Sequence, residues 1–273
     1  MRPTGPRTRR PYIFTMVIVA SIASANVISA ATGAVRPELP PTVLELLVEL
    51  VLAVLAIALL TALRSWRTVG FRALRRLSDL RLYWIPLLPV LPVVVAAIIG
   101  ISRMRFEEVL FFVILAGLIG FVEEVFFRGL ILQALAPEGL WRAAVVSSIV
   151  FGLMHLLNLL FGADLVATLL QTAYATAMGF GFAAVTLRTG SLWPLIAIHA
   201  AIDFAGFVTA QGTVMGSVTP TEIAIYALYI VVFAGYGVLM MRAITRLSAQ
   251  PGLAQTPSDH SPAPTRGAPH AAG

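Results

Sequence analysis

The side chains best suited to chemistry in this chain are a few ionisable residues set inside apolar runs. Glu123 and Glu124 are consecutive in Phe121-Val-Glu-Glu-Val-Phe-Phe-Arg-Gly129. On an α-helix, neighbours in sequence point about 100° apart, whereas Glu124 and Arg128, four apart, share a face as an ion pair. That pair serves as structural support and leaves Glu123 free to face something else. His155 closes Phe151-Gly-Leu-Met-His155, and Asn158, one turn on, can share its face in support. His199 and Asp203 set an imidazole and a carboxylate four apart, so Asp203 can orient or charge the ring. Taken singly, His155 reads as a hydrogen-bonded packing residue, and the His199–Asp203 pair also suits proton relay. Taken together, a carboxylate, two imidazoles and a further carboxylate on three helices can activate water for hydrolysis. The same four residues, Glu123, His155, His199 and Asp203, can instead ligate zinc with one position open.

The surroundings of these residues are set by composition. Hydrophobic residues make up 59% of the 273 residues and charged residues 12%, with a mean hydropathy of +0.90. Soluble domains carry about 25% charged residues, so a soluble enzyme, a disordered regulator and a fibrous protein are all excluded. The absence of cysteine removes disulfides, thiolate metal sites and a cysteine nucleophile. The expected fold is an all-α polytopic membrane protein, a bundle of about eight helices with a buried polar site on the fourth, fifth and seventh. A span needs about 20 apolar residues. Such runs fall at 12–34, 43–63, 83–101, 109–127, 143–161, 165–187, 192–210 and 222–241.

Pro86, Pro89 and Pro92 predict an irregular inner end for the third run. Segment 64–82 interleaves six arginines with Phe71, Leu74, Leu77 and Leu80 and reads as an amphipathic helix on the lipid surface. Ala175 with Gly179, and Ala177 with Gly181, let the sixth helix approach its neighbours closely. All 19 basic residues are arginine and give a net charge of +6. Placing the N-terminus inside puts 16 of them on the cytoplasmic side, so both termini are expected in the cytoplasm of a multi-pass plasma-membrane protein. Arg9-Arg10 before an apolar run and Ala23-Ser24-Ala25 also fits a signal peptide, but the run is long for one and a retained span is favoured. Residues 1–11 form a basic arm, 12–246 the helical domain, and 247–273 a disordered tail in which His260 and His270 are poor candidates for chemistry. The polar clusters are expected to meet in a cavity in the cytoplasmic half.

The order Glu123-Glu124-Val-Phe-Phe-Arg128, Phe151-Gly-Leu-Met-His155, His199-Ala-Ala-Ile-Asp203 on separate helices resembles the CPBP intramembrane proteases. These are bacterial relatives of the type II CAAX prenyl endopeptidases, also called the abortive-infection family. The resemblance covers 107–211, and the motifs lie within it. It implies an intramembrane endopeptidase of metallo- or glutamate type, with Glu123 and His155 activating water and His199 and Asp203 stabilising the oxyanion. The eukaryotic members carry Asn where this chain has Asp203; an ionised Asp cannot donate a hydrogen bond. Asp203 is therefore protonated, or serves His199, or binds a metal. The implied partners are the lipid bilayer and a membrane-associated peptide or protein, with no nucleic acid; the implied cofactor is zinc or none. Two other functions compete. A proton-coupled transporter would use the same acids as a relay, but Glu45 and Glu49 sit toward the outer end of the second span and complete no path. A non-catalytic immunity protein would bind a peptide on the same fold.

Overall fold

The computed structural model describes residues 10–91, 100–101, 104–210 and 218–248. The basic arm up to residue 9, the core of the third run, and the tail with His260 and His270 lie outside the described residues. Two long helices come first, α1 (Pro11–Val35) and α2 (Pro41–Ala62), followed by the single turn α3 (Trp66–Val69). α4 (Phe106–Glu123) runs on through a π-helical stretch (Glu124–Ile131) and one α-helical turn, α5 (Leu132–Leu135). α6 (Leu140–Met154) passes into a 3-10 segment (His155–Phe161), and α7 (Leu165–Thr189), α8 (Trp193–Ala210) and α9 (Pro220–Ser248) complete the chain.

Six of these helical stretches are long and apolar enough to cross a membrane, and Trp193–Thr209 is apolar but shorter. Seven of the eight expected runs thus form helices, and the polytopic all-α fold holds. Large apolar side chains such as Val51, Val54, Val231 and Leu239 stay exposed on the outside of the bundle. In water such a surface would be costly, whereas hydrocarbon accepts it.

Two expectations about the elements are corrected. The fourth span does not end near residue 127, because the helix continues unbroken over Phe106–Glu138. The ionisable cluster therefore sits at mid-length. Segment 64–82 is not one amphipathic helix: α3 stops at Gly70, an irregular stretch follows, and a 3-10 helix covers Leu77–Tyr83. Gly70 takes φ +124°, a left-handed value that favours glycine, and its carbonyl accepts from Leu192 N at 3.0 Å. Arg72 Nε donates to Gly190 O at 2.6 Å, and Ser191 Oγ donates to Arg72 O at 2.7 Å. These long-range bonds dock the segment against the α7–α8 turn. Beyond it, residues 84–89 form turns, as the prolines predict.

Small residues set the helix spacing around the site. A Cβ on Gly120 of α4 would lie 2.9 Å from both Ala200 N and Ile196 O of α8. Gly152 of α6 lies against Thr172 and Thr176 of α7, while Gly179 faces Phe151 and Arg128, and Gly181 faces Phe233 of α9. The close approach expected of the sixth span is therefore used on two sides.

Candidate active site

Glu124 and Arg128 pair at 3.0 Å and are fully buried, as their spacing predicts. The turn that carries them is π-helical, with wider i→i+5 hydrogen bonding, a feature that recurs at functional sites. Arg128 is clamped by aromatic rings: its guanidinium carbon lies 4.0 Å from the Phe151 centroid and 5.5 Å from that of Phe182. Ring faces hold a desolvated guanidinium by their negative quadrupole, which compensates in part for lost water.

His199, 3% exposed, is the hub of the site. Its Nδ1 lies 2.8 Å from Glu124 Oε1, and its Nε2 lies 3.2 Å from Glu123 Oε2. Asp203 Oδ2 is more distant from Nε2, at 3.8 Å, and has no hydrogen-bond partner. Two carboxylates thus grip both ring nitrogens, and each contact needs one proton between nitrogen and oxygen. The cluster of Glu123, Glu124, Arg128 and a doubly protonated His199 is neutral overall, which makes it tolerable in a low-dielectric setting. Phe151 and Phe182 stack edge-on against the His199 ring, with centroids at 5.9 and 6.2 Å.

His155 begins the 3-10 segment, and its Nδ1 lies 3.1 Å from Phe151 O. A carbonyl only accepts, so Nδ1 carries the hydrogen in this contact and Nε2 keeps its lone pair. Phe151 packs edge-on to this ring as well, with centroids 5.0 Å apart. Asn158 donates to Gln171 Oε1 at 2.9 Å, which ties the 3-10 segment to α7.

A cavity of about 260 Å³ brings several of these groups together. Glu123, His155 and Asn158 line it, along with Asn26 and Ser29 of α1 and Glu45 and Glu49 of α2. Glu123 reaches it with a quarter of its side chain exposed. The nearest imidazole contact of Glu123 is His199, on which sequence spacing is silent because the two residues lie on different helices. Pro41, Thr42 and Ala163 also line the cavity, so it extends toward the α1–α2 turn and the start of α7. That end is opposite the arginine-bearing 64–82 segment, so the expectation of a cavity in the cytoplasmic half does not hold on the arginine-based orientation. The sequence also set Glu45 and Glu49 aside, although their i,i+4 spacing in an apolar helix was a signal that both share one face.

The fit of zinc follows from the donors. Both nitrogens of His199 are engaged by carboxylates, and the described residues contain no group of three or more His, Asp or Glu side chains placed to hold a metal ion. Glu123, His155, His199 and Asp203 do not form a ligand shell in this arrangement.

Residues 104–205 match the family model described as type II CAAX prenyl endopeptidase Rce1-like. No curated protein and no solved structure matches the chain. The matched segment contains all three motifs and every residue that grips His199, and it is a protease family that the match names. With its polar motifs assembled on α4, α6 and α8 of a helical membrane bundle, the matched segment of the chain is similar to the CAAX-protease-like CPBP family.

Proposed function

We propose that the protein is an intramembrane endopeptidase that hydrolyses a peptide bond of a membrane-associated peptide or protein. The observation that carries this reading is that Glu123 and His155 line one cavity while His199 holds Glu123 from behind. Glu123, ionised within the neutral cluster, is the general base. His155 offers the Nε2 lone pair as second acceptor for the same water.

Water attacks the scissile carbonyl carbon as its proton passes to Glu123, and the carbonyl oxygen becomes an oxyanion. Protonated Glu123 holds His199 Nε2–H less strongly, so that N–H becomes available to the oxyanion at the moment charge develops. The proton on Glu123 then goes to the leaving amine nitrogen, the C–N bond breaks, the remaining hydroxyl proton passes through Glu123 to the amine, and carboxylate and ammonium are released. Asp203, 3.8 Å from Nε2, steadies the imidazolium electrostatically. Glu124 and Arg128 fix the ring from the Nδ1 side.

A transporter would need a polar path from the cavity to the arginine-rich end. Beyond Arg128 the same helix presents Leu130, Ile131 and Leu132, all fully buried and apolar. In this reading the N- and C-termini are cytoplasmic, residues 1–11 are a basic arm, 12–246 the helical domain and 247–273 a tail. The test is cleavage of membrane-anchored peptides by the purified protein, with Glu123→Gln as the comparison. Glu123→Gln keeps size and hydrogen bonding but cannot accept the proton, so hydrolysis should disappear while the protein stays folded. Substantial hydrolysis by this variant would overturn the general-base assignment.

A further inference from the structure

Glu45 and Glu49 are not used by the chemistry above, yet they line the same cavity. They are one helical turn apart on α2, with Val48 and Leu52 beside them on the cavity face. At 1.5 Å per residue from Pro41 at the mouth, Glu45 lies about 6 Å inward and Glu49 about 12 Å inward. Carboxylates in a membrane are costly, and those of Glu123 and Glu124 are balanced by Arg128 and His199. Glu45 and Glu49 have no such balance: among the described residues, no arginine lines the cavity and no ion pair engages them.

A second observation points to a ligand at the same place. Ser29 of α1 is 5% exposed and lines the cavity, yet its Oγ has no hydrogen-bond partner. Thr15, Ser21 and Thr32 of the same helix all donate to the carbonyl four residues back. Ser29 forgoes that bond. Glu49 Oε2 is likewise buried and unpartnered. A buried hydroxyl and a buried carboxylate oxygen left open in one cavity form the acceptor half of a site for a donor-rich cation.

We propose that the mouth-side half of the cavity is a subsite for a lysine or arginine side chain of the substrate, held by Glu45 and Glu49 with Ser29 accepting a further hydrogen bond. This rests on the endopeptidase reading and names its substrate class: a membrane-associated chain with a basic residue a few positions to the mouth side of the cleaved bond. An extended peptide advances about 3.3 Å per residue, so the roughly 6 Å between Glu45 and Glu49 along α2 accommodates a basic side chain from about two neighbouring positions. On the orientation proposed above, that basic residue lies on the non-cytoplasmic flank of the substrate. Basic residues are scarce there, so the subsite selects strongly among membrane chains.

The test uses full-length protein in lipid vesicles and two matched single-span Leu–Ala peptides. One carries a lysine near the mouth-side end, and the other carries norleucine at that position. Binding is measured by a fluorophore on the peptide, and hydrolysis by product mass. Wild type should bind and cleave the lysine peptide at least about tenfold better, the ratio that about 1.4 kcal/mol of coupling gives. Glu45→Gln/Glu49→Gln should erase that preference while cleaving the norleucine peptide as wild type does, which also shows that it is folded. Glu45→Gln/Glu49→Lys should turn the preference toward a peptide with glutamate at the same position. Equal binding of the two peptides by wild type, or an unchanged lysine preference in the double glutamine variant, would overturn the subsite. The endopeptidase reading fails differently: neither peptide would be cleaved, while the lysine preference in binding persisted.

Discussion

Gly120 tests whether the α4–α8 approach, rather than the ionisable residues alone, makes the site. In Gly120→Ala the added Cβ meets two backbone atoms, Ala200 N and Ile196 O, both at 2.9 Å. Ordinary contact begins at 3.4 Å, so the helices must part by about 0.5 Å at this level, since backbone cannot rotate aside. Ala200 follows His199 directly. A retreat of α8 moves the ring from the position where Nε2 lies 3.2 Å from Glu123 and Nδ1 2.8 Å from Glu124, and because the two N–H directions diverge, no single shift keeps both charge-assisted bonds in range. Gly117 lies on the same helix with nothing within 4 Å of its added Cβ, and so provides the control. Both changes gain the same helix propensity, about 1 kcal/mol for Gly to Ala, so the difference between them isolates the contact. Overpacking typically costs about 1–3 kcal/mol, and Gly120→Ala should be less stable than Gly117→Ala by that amount in thermal unfolding in detergent. A misplacement of about 1 Å costs about a hundredfold in rate, so half of it should lower kcat/KM for peptide cleavage about tenfold, with Gly117→Ala unchanged. If the two variants match in both stability and rate, the argument that α8 is held at its closest approach by Gly120 is wrong.

Other outcomes follow from the same geometry. Glu124→Ala and Arg128→Ala should each cost about 3–5 kcal/mol, seen as a collapse in folded yield on size exclusion, because each strands a buried partner charge. The double variant of Glu123→Gln with His155→Ala should be scarcely slower than either single variant, the non-additivity of groups acting on one water; multiplied losses in the kinetics would separate their roles. Asp203→Asn should remain active, since Asp203 stands 3.8 Å from His199 and the amide keeps its shape; loss of bound zinc together with activity, by elemental analysis, would restore a metal role. Ser78 is exposed in the arginine-rich segment and the chain has no native cysteine, so Ser78→Cys should react with an impermeant maleimide only after cells are opened. Labelling of intact cells would invert the proposed orientation.

The sequence by itself determined the membrane-helical fold, because 59% hydrophobic content in runs of about 20 residues has no other stable form in lipid. It also determined the Glu124–Arg128 pair, since contacts four residues apart are local and follow from helical geometry. The three motifs, each readable within one helix, were likewise legible. What tertiary structure decided were the contacts between helices. Spacing within α8 linked His199 to Asp203, yet the ring is gripped by Glu123 and Glu124 of α4, 75 positions earlier in the case of Glu124. No periodicity encodes such a contact; it depends on how near two backbones pass, and so on Gly120. The arginine-rich segment lost its expected helix for the same reason, as Ser191 and Leu192 donate to its backbone carbonyls from a distant turn. Glu45 and Glu49 looked stranded at one end of a span while depth was judged along the chain alone. Once α2 packs beside α4, the face they share opens on the cavity of Glu123, and their distance along the sequence no longer measures their distance from the site.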